Sequence, residues 1–315
     1  MHRRQFLLSA SLGGLALADA KFGMGEPLVK KFGVQFFSIP KLLQQDFRRT
    51  VTSLATMGYR EVEPYGPYPF SAPEAIAQWN AVTPQLGFSG SGFFGLSASE
   101  FRSVLNDHQI TAPSMHTDLL TLQTRMSELS GPAHAIGATN VVLPAIPQEK
   151  RKSLDDYKKM ADAFNAIGND ARREGLKFAY HNHGYGLHEM DGQIPLKIIL
   201  DGTDPALVFP EMDIFWTTAG GASPVDYLKD YPGRYHLMHV KDMKELVRFK
   251  GDGGNPAQWI ELFPYITSVG NGVLDIKSIL AQAQKSGVKH FFVEQDIAAD
   301  PMVDLQRSVK FLEKL

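Results

Sequence analysis

The sequence contains no cysteine among its 315 residues, so disulfides and thiolate metal ligands are excluded. Any metal must therefore be held by His, Asp, Glu and water. The chain also lacks a charge excess, because 32 Lys and Arg face 34 Asp and Glu for a net charge of −2. The longest basic cluster, Arg48-Arg49, is interpreted as a solvated helix face, so no nucleic-acid surface is expected. No strand-like run is followed by a GxGxxG or Walker A loop, which argues against a nucleotide-binding sheet.

Residues 1–20 are predicted to be an export signal. Arg3-Arg4 precedes an apolar run over 6–17, and Ala-Asp-Ala then gives a small-x-small cleavage pattern. Arg-Arg-Gln-Phe-Leu resembles the twin-arginine signal, which predicts a periplasmic protein exported already folded. The alternative is an ordinary helix with a basic start. The run is too short and too interrupted by glycine for a stable membrane anchor. Residues 21–31 are expected to form a linker.

From residue 32 onward, strand-like apolar runs alternate with helical segments eight times. Such alternation predicts a parallel sheet, and eight units predict a single-domain (β/α)₈ TIM barrel over 32–315. An open doubly wound sheet is the alternative. Helix ends are recognisable at Asp46, an N-cap, at Gly58, and in a capping box from Ser97 to Glu100. The predicted strands are 32–37, 59–66, 110–116, 139–145, 176–183, 207–213, 235–242 and 289–296. A continuous helix is predicted over 118–136.

Polar and ionisable residues recur at the C-terminal ends of the predicted strands. In a TIM barrel these ends surround the active site. Side chains two residues apart on a strand share a face, so each such pair is expected to look into the barrel mouth. The candidates are Gln35, Glu63, His116, His181, His183, Glu211, Asp213, His239, Lys241, Glu294 and Asp296. Asp242 is a further residue of metal-ligand type in this part of the chain.

The burial of so many carboxylates and histidines in one place has to be offset by another interaction. Their burial costs free energy unless a cation or close ion pairing offsets it. A His, Asp and Glu set without Cys suits one divalent metal ion (Mn²⁺, Mg²⁺, Co²⁺ or Zn²⁺) without selecting among them. The alternative is a ring of salt bridges with Lys241 and Arg234 and no metal.

Several segments together resemble the xylose isomerase-like TIM barrels known as sugar phosphate isomerases/epimerases. The resemblance covers nearly all of the chain after the signal. It lies in GVQFFSI, GYREVEPYG, SMHTDL, YHNHG, MDIFWTTAGG, SPVDYLKDYPGRYHLMHVKD, VGNGVLDIKSIL and GVKHFFVEQD. It implies one divalent metal at the ends of strands five to eight. The ligands carried over by the resemblance are Asp213, His239 and Glu294, with His181 chosen for the fourth position.

Strand five departs from many epimerases of the family, which place a glutamate ligand there. Here it reads His181-Asn182-His183, a variant of a large subgroup, and this puts the symmetric two-glutamate mechanism in question. Glu211 is the candidate for the missing carboxylate. Glu294 is expected to be both ligand and base, with His183 or His116 as the second proton carrier. The full catalytic set is Glu294, His183, Glu211, Lys241 and His116, and the residues expected to bind substrate are Gln35, Glu63 and Trp216.

For two of these residues, a purely structural role is the alternative. Lys241 is expected near the developing oxyanion, but a salt bridge to Asp213 or Asp242 is equally compatible with its position. Trp216 is placed to stack on a sugar face, whereas an aromatic residue there also suits barrel packing.

These residues predict a metal-dependent isomerase or epimerase of a sugar or keto-sugar, acting by proton abstraction through an enediolate. One alternative keeps the metal site but makes the protein a lyase or hydrolase of an oxidised (keto) glycoside. The other is a non-catalytic periplasmic sugar-binding barrel. A small neutral or keto sugar is the expected partner, because no phosphate-cradling loop is visible. Assembly into a homo-oligomer stays open.

Overall fold

The computed structural model describes residues 28–315, and in them eight parallel strands form one barrel sheet. The strands are β1 (Gly33–Gln35), β2 (Glu61–Glu63), β3 (Ser114–His116), β4 (Asn140–Leu143), β5 (Lys177–His181), β6 (Val208–Asp213), β7 (Leu237–Val240) and β8 (His290–Val293). The predicted single-domain (β/α)₈ TIM barrel is confirmed. The predicted export signal, 1–20, and the start of the predicted linker lie outside the described residues. Among the described residues, no helix is long and apolar enough to cross a membrane.

The strands hydrogen-bond in the order β2-β1-β8-β7-β6-β5-β4-β3. The ring closes between β2 and β3, where Val62 N donates to Thr111 O at 2.8 Å and Gly66 N donates to His116 O at 2.9 Å. All strands are parallel, so their C-terminal ends meet at one mouth, as the sequence interpretation requires. Inside the barrel, below the polar strand ends, an apolar layer fills the space; it consists of Val142, Ala179, Phe209, Leu237 and Phe292.

Most helices cover the outside of the barrel. They are Pro40–Gln45, Phe47–Met57, Pro73–Leu86, Ala98–Asp107, Leu119–Thr124, Met126–Ile136, Leu154–Arg173, Pro195–Gly202, Ile214–Ala219, Pro224–Asp230, Pro256–Leu262, Ile276–Lys285 and Pro301–Leu312. Single 3₁₀ turns occupy Phe36–Ser38, Gln148–Lys150 and Phe263–Tyr265. The predicted caps are confirmed, because Asp46 accepts from the backbone of Arg49 and Ser97 forms a capping box with Glu100.

The observed strands are all shorter than the predicted ones, and two further details differ from the sequence prediction. The continuous helix predicted over 118–136 is wrong, because the chain leaves helical geometry at Arg125, with φ −135° and ψ 30°. The Arg125 Nε atom instead donates to Phe70 O at 2.8 Å, a contact made across the fold. Strand β7 ends at Val240, and Asp242–Met243 instead pairs antiparallel with Ile266–Thr267 in a small separate ribbon.

Candidate active site

The strand-end residues meet at the barrel mouth because of the strand register. His181 on β5 lies beside Glu211 on β6, and Asp213 on β6 lies beside His239 on β7. The predicted inward-facing pairs at the ends of β6, β7 and β8 all point into this space. Their side chains are nearly all buried, so the electrostatic interactions between them are strong.

Glu63 forms the lowest part of the site. One of its oxygens, Oε2, accepts from Gln35 Nε2 at 2.8 Å and lies 2.7 Å from His239 Nε2. The other accepts a short hydrogen bond from Ser114 Oγ. Glu63 is fully buried and does not line the cavity above it. Glu63 therefore lies beneath the histidines and Gln35 lines the cavity, while the substrate contacts expected of both residues stay predictions.

Glu211 is surrounded by three histidines. Its Oε2 atom lies 2.8 Å from His116 Nε2, 3.2 Å from His181 Nδ1 and 3.4 Å from His239 Nε2. Its Oε1 atom is buried without a hydrogen-bond partner. A buried carboxylate oxygen left unpaired is costly, so a ligand for this atom is expected.

Lys241 connects the upper part of the site. Its Nζ atom lies 3.1 Å from Asp213 Oδ2, 2.8 Å from Glu294 Oε2 and 2.7 Å from Asp296 Oδ2. The alternative salt bridge of Lys241 with Asp213 is thus present. The one with Asp242 is absent, because Asp242 instead accepts from backbone amides of the loop 268–274.

Arg234 does not join this network, which corrects the salt-bridge ring considered from the sequence. Its guanidinium donates to Leu200 O at 2.6 Å and to Thr203 Oγ1 at 2.8 Å, on the outer helical layer. Lys241 is therefore the only lysine or arginine among the described residues that lies within this group of carboxylates. The carboxylates are Glu63, Glu211, Asp213, Glu294 and Asp296.

The carboxylates differ in the direction in which their environment shifts their pKa values. Burial raises the pKa of Asp213 and of Glu211, and the nearby charge of Glu63 adds to the effect on Glu211. Burial also acts on Glu294, but Lys241 and His239 outweigh it and hold the pKa of Glu294 below its usual value. Glu294 is therefore ionised at neutral pH.

The histidines divide in the same way. Burial alone would lower the pKa of His116, but Glu63 and Glu211 outweigh it and raise the value to about 9. Burial is likewise outweighed at His239, where Glu211 and Glu294 raise the pKa well above its usual value. Burial and the charge of Lys241 lower the pKa of His183 to about 3, and burial also holds the pKa of His181 well below its usual value. Within one site, the pKa values of His116 and His239 are thus raised while those of His181 and His183 are lowered.

The donor atoms fit a divalent cation. Among the described residues, two groups have potential ligand atoms within 4.8 Å of one another, and they share His239. One group adds Asp213 and Glu294, and the other adds His116, His181 and Glu211. The Asp213 Oδ2 atom is buried, 3.1 Å from Lys241 Nζ but without hydrogen-bond geometry, so it offers an unused acceptor. These oxygen and imidazole donors suit the hard or borderline metals expected from the sequence.

The four predicted ligands are brought together, but not as one compact group. Asp213, His239 and Glu294 form one cluster, whereas His181 sits in the other, with its Nε2 atom 4.0 Å from Asp213 Oδ2. His181 is thus the ligand candidate at the margin between the two groups. Asn182 helps to hold Asp213 beside strand β5, because the Asn182 Oδ1 atom accepts from Asp213 N at 3.3 Å.

His183 and Trp216 lie higher, where the cavity wall begins. The His183 ring stacks on Trp259 with 4.3 Å between centroids, and its Nδ1 atom has no hydrogen-bond partner. Trp216 is 2% exposed, stacks on Phe249, and has Lys241 Nζ 5.0 Å from its ring centroid. Trp216 therefore packs against the site and also borders the cavity.

Above the polar floor lies a cavity of about 580 Å³. Its floor is formed by predicted site residues: Gln35, His116, His181, His183, His239, Lys241, Glu294 and Asp296. Its walls are mostly apolar and aromatic and include Tyr65, Trp79 and Trp259, which sequence reasoning did not single out. Asp296 was noted as a strand-end residue without a role. Its spacing of two from Glu294 was the signal for its contact with Lys241.

A model of the family described as xylose isomerase-like TIM barrel matches residues 51–315. The chain belongs to this family. It is an isomerase/epimerase-like enzyme of the family, and the buried His and Glu cluster is of the kind that holds a divalent metal.

Several curated proteins that are similar in sequence to this member of the xylose isomerase-like family are inosose dehydratases. That of Clostridium tetani is 26% identical over 207 residues, which span 63% of this chain and 68% of the relative. That of Bacillus cereus is 28% identical over 180 residues, which span 54% of this chain and 59% of the relative. The second match thus spans less than two thirds of the relative.

Solved structures share the fold at low identity. A sugar phosphate isomerase/epimerase from Parabacteroides distasonis has a TM-score of 0.69 at 21% identity, covering 95% of this chain and 96% of the other. An IOLI protein with a bound zinc atom has a TM-score of 0.62 at 13% identity, covering 89% and 95%. At these identities the likeness shows the fold, and the reaction has to be argued from the site.

Proposed function

We propose that the protein is a metal-dependent isomerase or epimerase that removes and returns a proton at a carbon beside the carbonyl of a sugar or keto-sugar. The observation that carries the proposal is the floor of the cavity. There, Glu294 and His116 line the same space beside the donor atoms of the candidate metal site, and the pKa of Glu294 is lowered while that of His116 is raised. Two groups whose environments shift their pKa values in this way are suited to act as base and acid.

The cation is proposed to be held by Asp213, His239 and Glu294, with His181 as the fourth ligand. Three of these residues offer donor atoms within 4.8 Å of one another. A bound divalent cation would stabilise the negative charge that develops on a substrate oxygen as the proton is removed. Glu294 Oε2 and His239 Nδ1 lie 2.7 Å apart, so the two proposed ligands are next to each other.

Glu294 is the proposed base. Its Oε2 atom is occupied by His239 and Lys241, which leaves the second oxygen as the one available to a substrate C–H. The carboxylate borders the cavity and is 7% exposed, so a substrate can reach it. Because its pKa is lowered, it is ionised at neutral pH, as a general base must be.

His116 and His183 are the candidates for the second proton carrier, and they differ in readiness. His116 has a pKa raised to about 9, so it carries a proton to donate at neutral pH. His183 has a pKa lowered to about 3, so it is neutral and better suited to orient a substrate hydroxyl. Lys241, which lines the cavity between Glu294 and Asp296, is placed to stabilise a developing oxyanion.

A dehydratase is the second candidate function. It shares the first step, proton removal beside a carbonyl, but the acid then protonates a hydroxyl group that leaves as water. The similarity to inosose dehydratases favours it. So does the absence of a strand-five glutamate, because His181 stands where a second proton-moving carboxylate would be needed for the symmetric epimerisation. A lyase or hydrolase of a keto glycoside would use the same residues.

The substrate is proposed to be uncharged. Lys241 is the only lysine or arginine among the described residues that line the cavity, and three carboxylates already surround it. A phosphate group is normally bound by arginine forks or by helix N-termini, and the cavity lining instead includes the carboxylates of Asp118, Glu294 and Asp296.

One experiment separates these reactions. The metal-loaded protein is incubated in D₂O with a panel of sugars, keto-sugars, keto-cyclitols and sugar phosphates. Deuterium at one carbon of a recovered substrate or its epimer supports the isomerase or epimerase, and loss of water supports the dehydratase. Proton exchange with none of the panel would refute the proposal, and a clear preference for phosphorylated substrates would refute the uncharged-substrate proposal.

Export through the twin-arginine route is also proposed, on the basis of Arg3-Arg4 and the apolar run that follows. We also propose, independently of export, that the chain belongs to the subgroup of the family marked by His181-Asn182-His183. Replacing both arginines by lysine should keep the protein in the cytoplasmic fraction of a bacterial host. Unchanged delivery to the periplasm would argue against this route.

A further inference from the structure

The outer half of the cavity differs chemically from its floor. The walls above the polar residues are formed by the loops after β1, β2, β7 and β8. They present mostly aromatic and aliphatic side chains, namely Phe37, Tyr65, Trp79, Val82, Trp259, Ile260 and Ile297, with Gln78 as a polar member. A volume of about 580 Å³ lies in the range of roughly 300–1,000 Å³ that accommodates drug-sized ligands, so the cavity holds more than one sugar ring.

The polar atoms of the wall aromatics are already used inside the protein. Tyr65 OH donates to Gly90 O at 2.7 Å, Trp79 Nε1 donates to Ser89 O, and Trp259 Nε1 donates to Gly253 O at 2.7 Å. Only ring faces and edges are therefore left for a ligand. A second sugar ring would need hydrogen-bond partners for its hydroxyl groups, and these three side chains do not supply them.

The rim of the cavity is also apolar, although its side chains are exposed to solvent, which is unfavourable for apolar groups. Val82, Ile260 and Ile297 all line the cavity, and they are 42%, 58% and 53% exposed. Ile297 follows the β8 site residues and has a φ of 49°, a conformation that is rare and strained for a β-branched residue. An exposed isoleucine held in such a conformation beside the catalytic floor indicates a ligand-binding role for its side chain.

We infer that the substrate carries an aromatic substituent, so that it is an aryl glycoside or a similarly substituted keto-sugar. The sugar ring lies on the floor against Glu294 and His116. The aromatic group lies between Trp79 and Trp259 and under the rim formed by Val82, Ile260 and Ile297. This inference rests on the proposed function, because it assigns the other half of the substrate of the same site.

The test compares binding of matched methyl and phenyl β-D-glycosides of glucose, galactose and xylose by titration calorimetry. With at least one sugar, the phenyl compound is expected to bind about tenfold more tightly, which corresponds to about 1.4 kcal/mol. Trp79→Ala and Ile260→Ser should move this ratio toward one. Leu246→Ala is the control, since Leu246 is 64% exposed but does not line the cavity, and it should leave the ratio unchanged.

A ratio of one for all three pairs, or a ratio that both wall variants leave unchanged, would overturn the inference. So would a dimer that Ile260→Asp dissociates while the ratio stays at one, because the rim would then belong to a contact with a second copy. Deuterium exchange with keto-sugars is measured separately. Deuterium exchange without a preference for phenyl glycosides refutes only the aromatic subsite. A preference for phenyl glycosides without exchange on any panel member refutes only the proposed reaction.

Discussion

Glu294→Gln removes the charge of the proposed base while keeping the size of the side chain. The amide oxygen can still accept from His239 and Lys241, and Lys241 keeps its contacts with Asp213 and Asp296. The fold and most of the binding energy for a sugar should therefore remain. The amide cannot take up a proton, so the contribution of general base catalysis is lost.

The expected loss in turnover is about 10²–10⁴-fold, the usual contribution of a positioned general base. This corresponds to about 2.7–5.4 kcal/mol in the activation free energy. The assay is deuterium incorporation into a reactive substrate of the panel, followed by NMR. The rate is divided by the metal content of each preparation, so that a partial loss of metal is not mistaken for loss of the base.

Glu61→Gln is the matched control. Glu61 is a buried glutamate of β2 at the opposite end of the barrel, where its Oε2 lies 3.0 Å from His290 Nδ1. The control also replaces a buried glutamate that contacts a histidine, but it should exchange deuterium at nearly the rate of the unsubstituted protein. If Glu294→Gln also exchanged at nearly that rate per bound metal, the assignment of the base would be refuted, and His183 would be tested next.

Three further outcomes are expected. Asp213→Ser should keep the cap on the backbone of Trp216 but lower the metal affinity by more than the roughly 10–100-fold that is typical when a partner of a ligand is replaced. The metal content is measured by elemental analysis after dialysis, and full metal content would contradict the ligand role. Ser97→Ala should lower the free energy of unfolding in urea by about 1 kcal/mol through loss of the capping box, and an unchanged value would mean that the cap contributes nothing. Burial lowers the pKa of His236 from 6.5 to about 4, so the unfolded chain binds more protons between these values and stability should rise with pH there. His236→Asn should reduce that rise, and an identical pH profile would contradict it.

The strand ends could be predicted because two simple regularities act there. Side chains alternate along a strand, and parallel strands of a closed barrel end at one mouth. These rules placed Glu211, Asp213, His239, Lys241 and Glu294 in one space, as the structure does. The caps at Asp46 and Ser97 were equally accessible, because capping depends on residues only three positions apart.

Contacts made across the fold were not accessible in the same way. Nothing in the local pattern shows that Glu63 is held by Ser114 and His239 below the cavity, because this depends on the register of β2 against distant strands. The break at Arg125 likewise follows from a contact with Phe70, which lies 55 residues away. The wall of Trp79 and Trp259 comes from the helices Pro73–Leu86 and Pro256–Leu262, which lie in the long connections after β2 and β7 and are placed by tertiary packing.

The chemistry of the floor follows from strand register more than from any single residue. Neighbouring strands bring His181 beside Glu211 and Asp213 beside His239, and Val240 beside Val293 places Lys241 next to Glu294 at 2.8 Å. At each step an acidic side chain meets a basic one. A one-residue slip of a strand would turn its site residues toward the helices and bury its outward apolar residues in the mouth. The apolar layer below the floor opposes such a slip, because Phe209, Leu237 and Phe292 fill the barrel only in the observed register. The packing that stabilises the barrel therefore also fixes which acid faces which base.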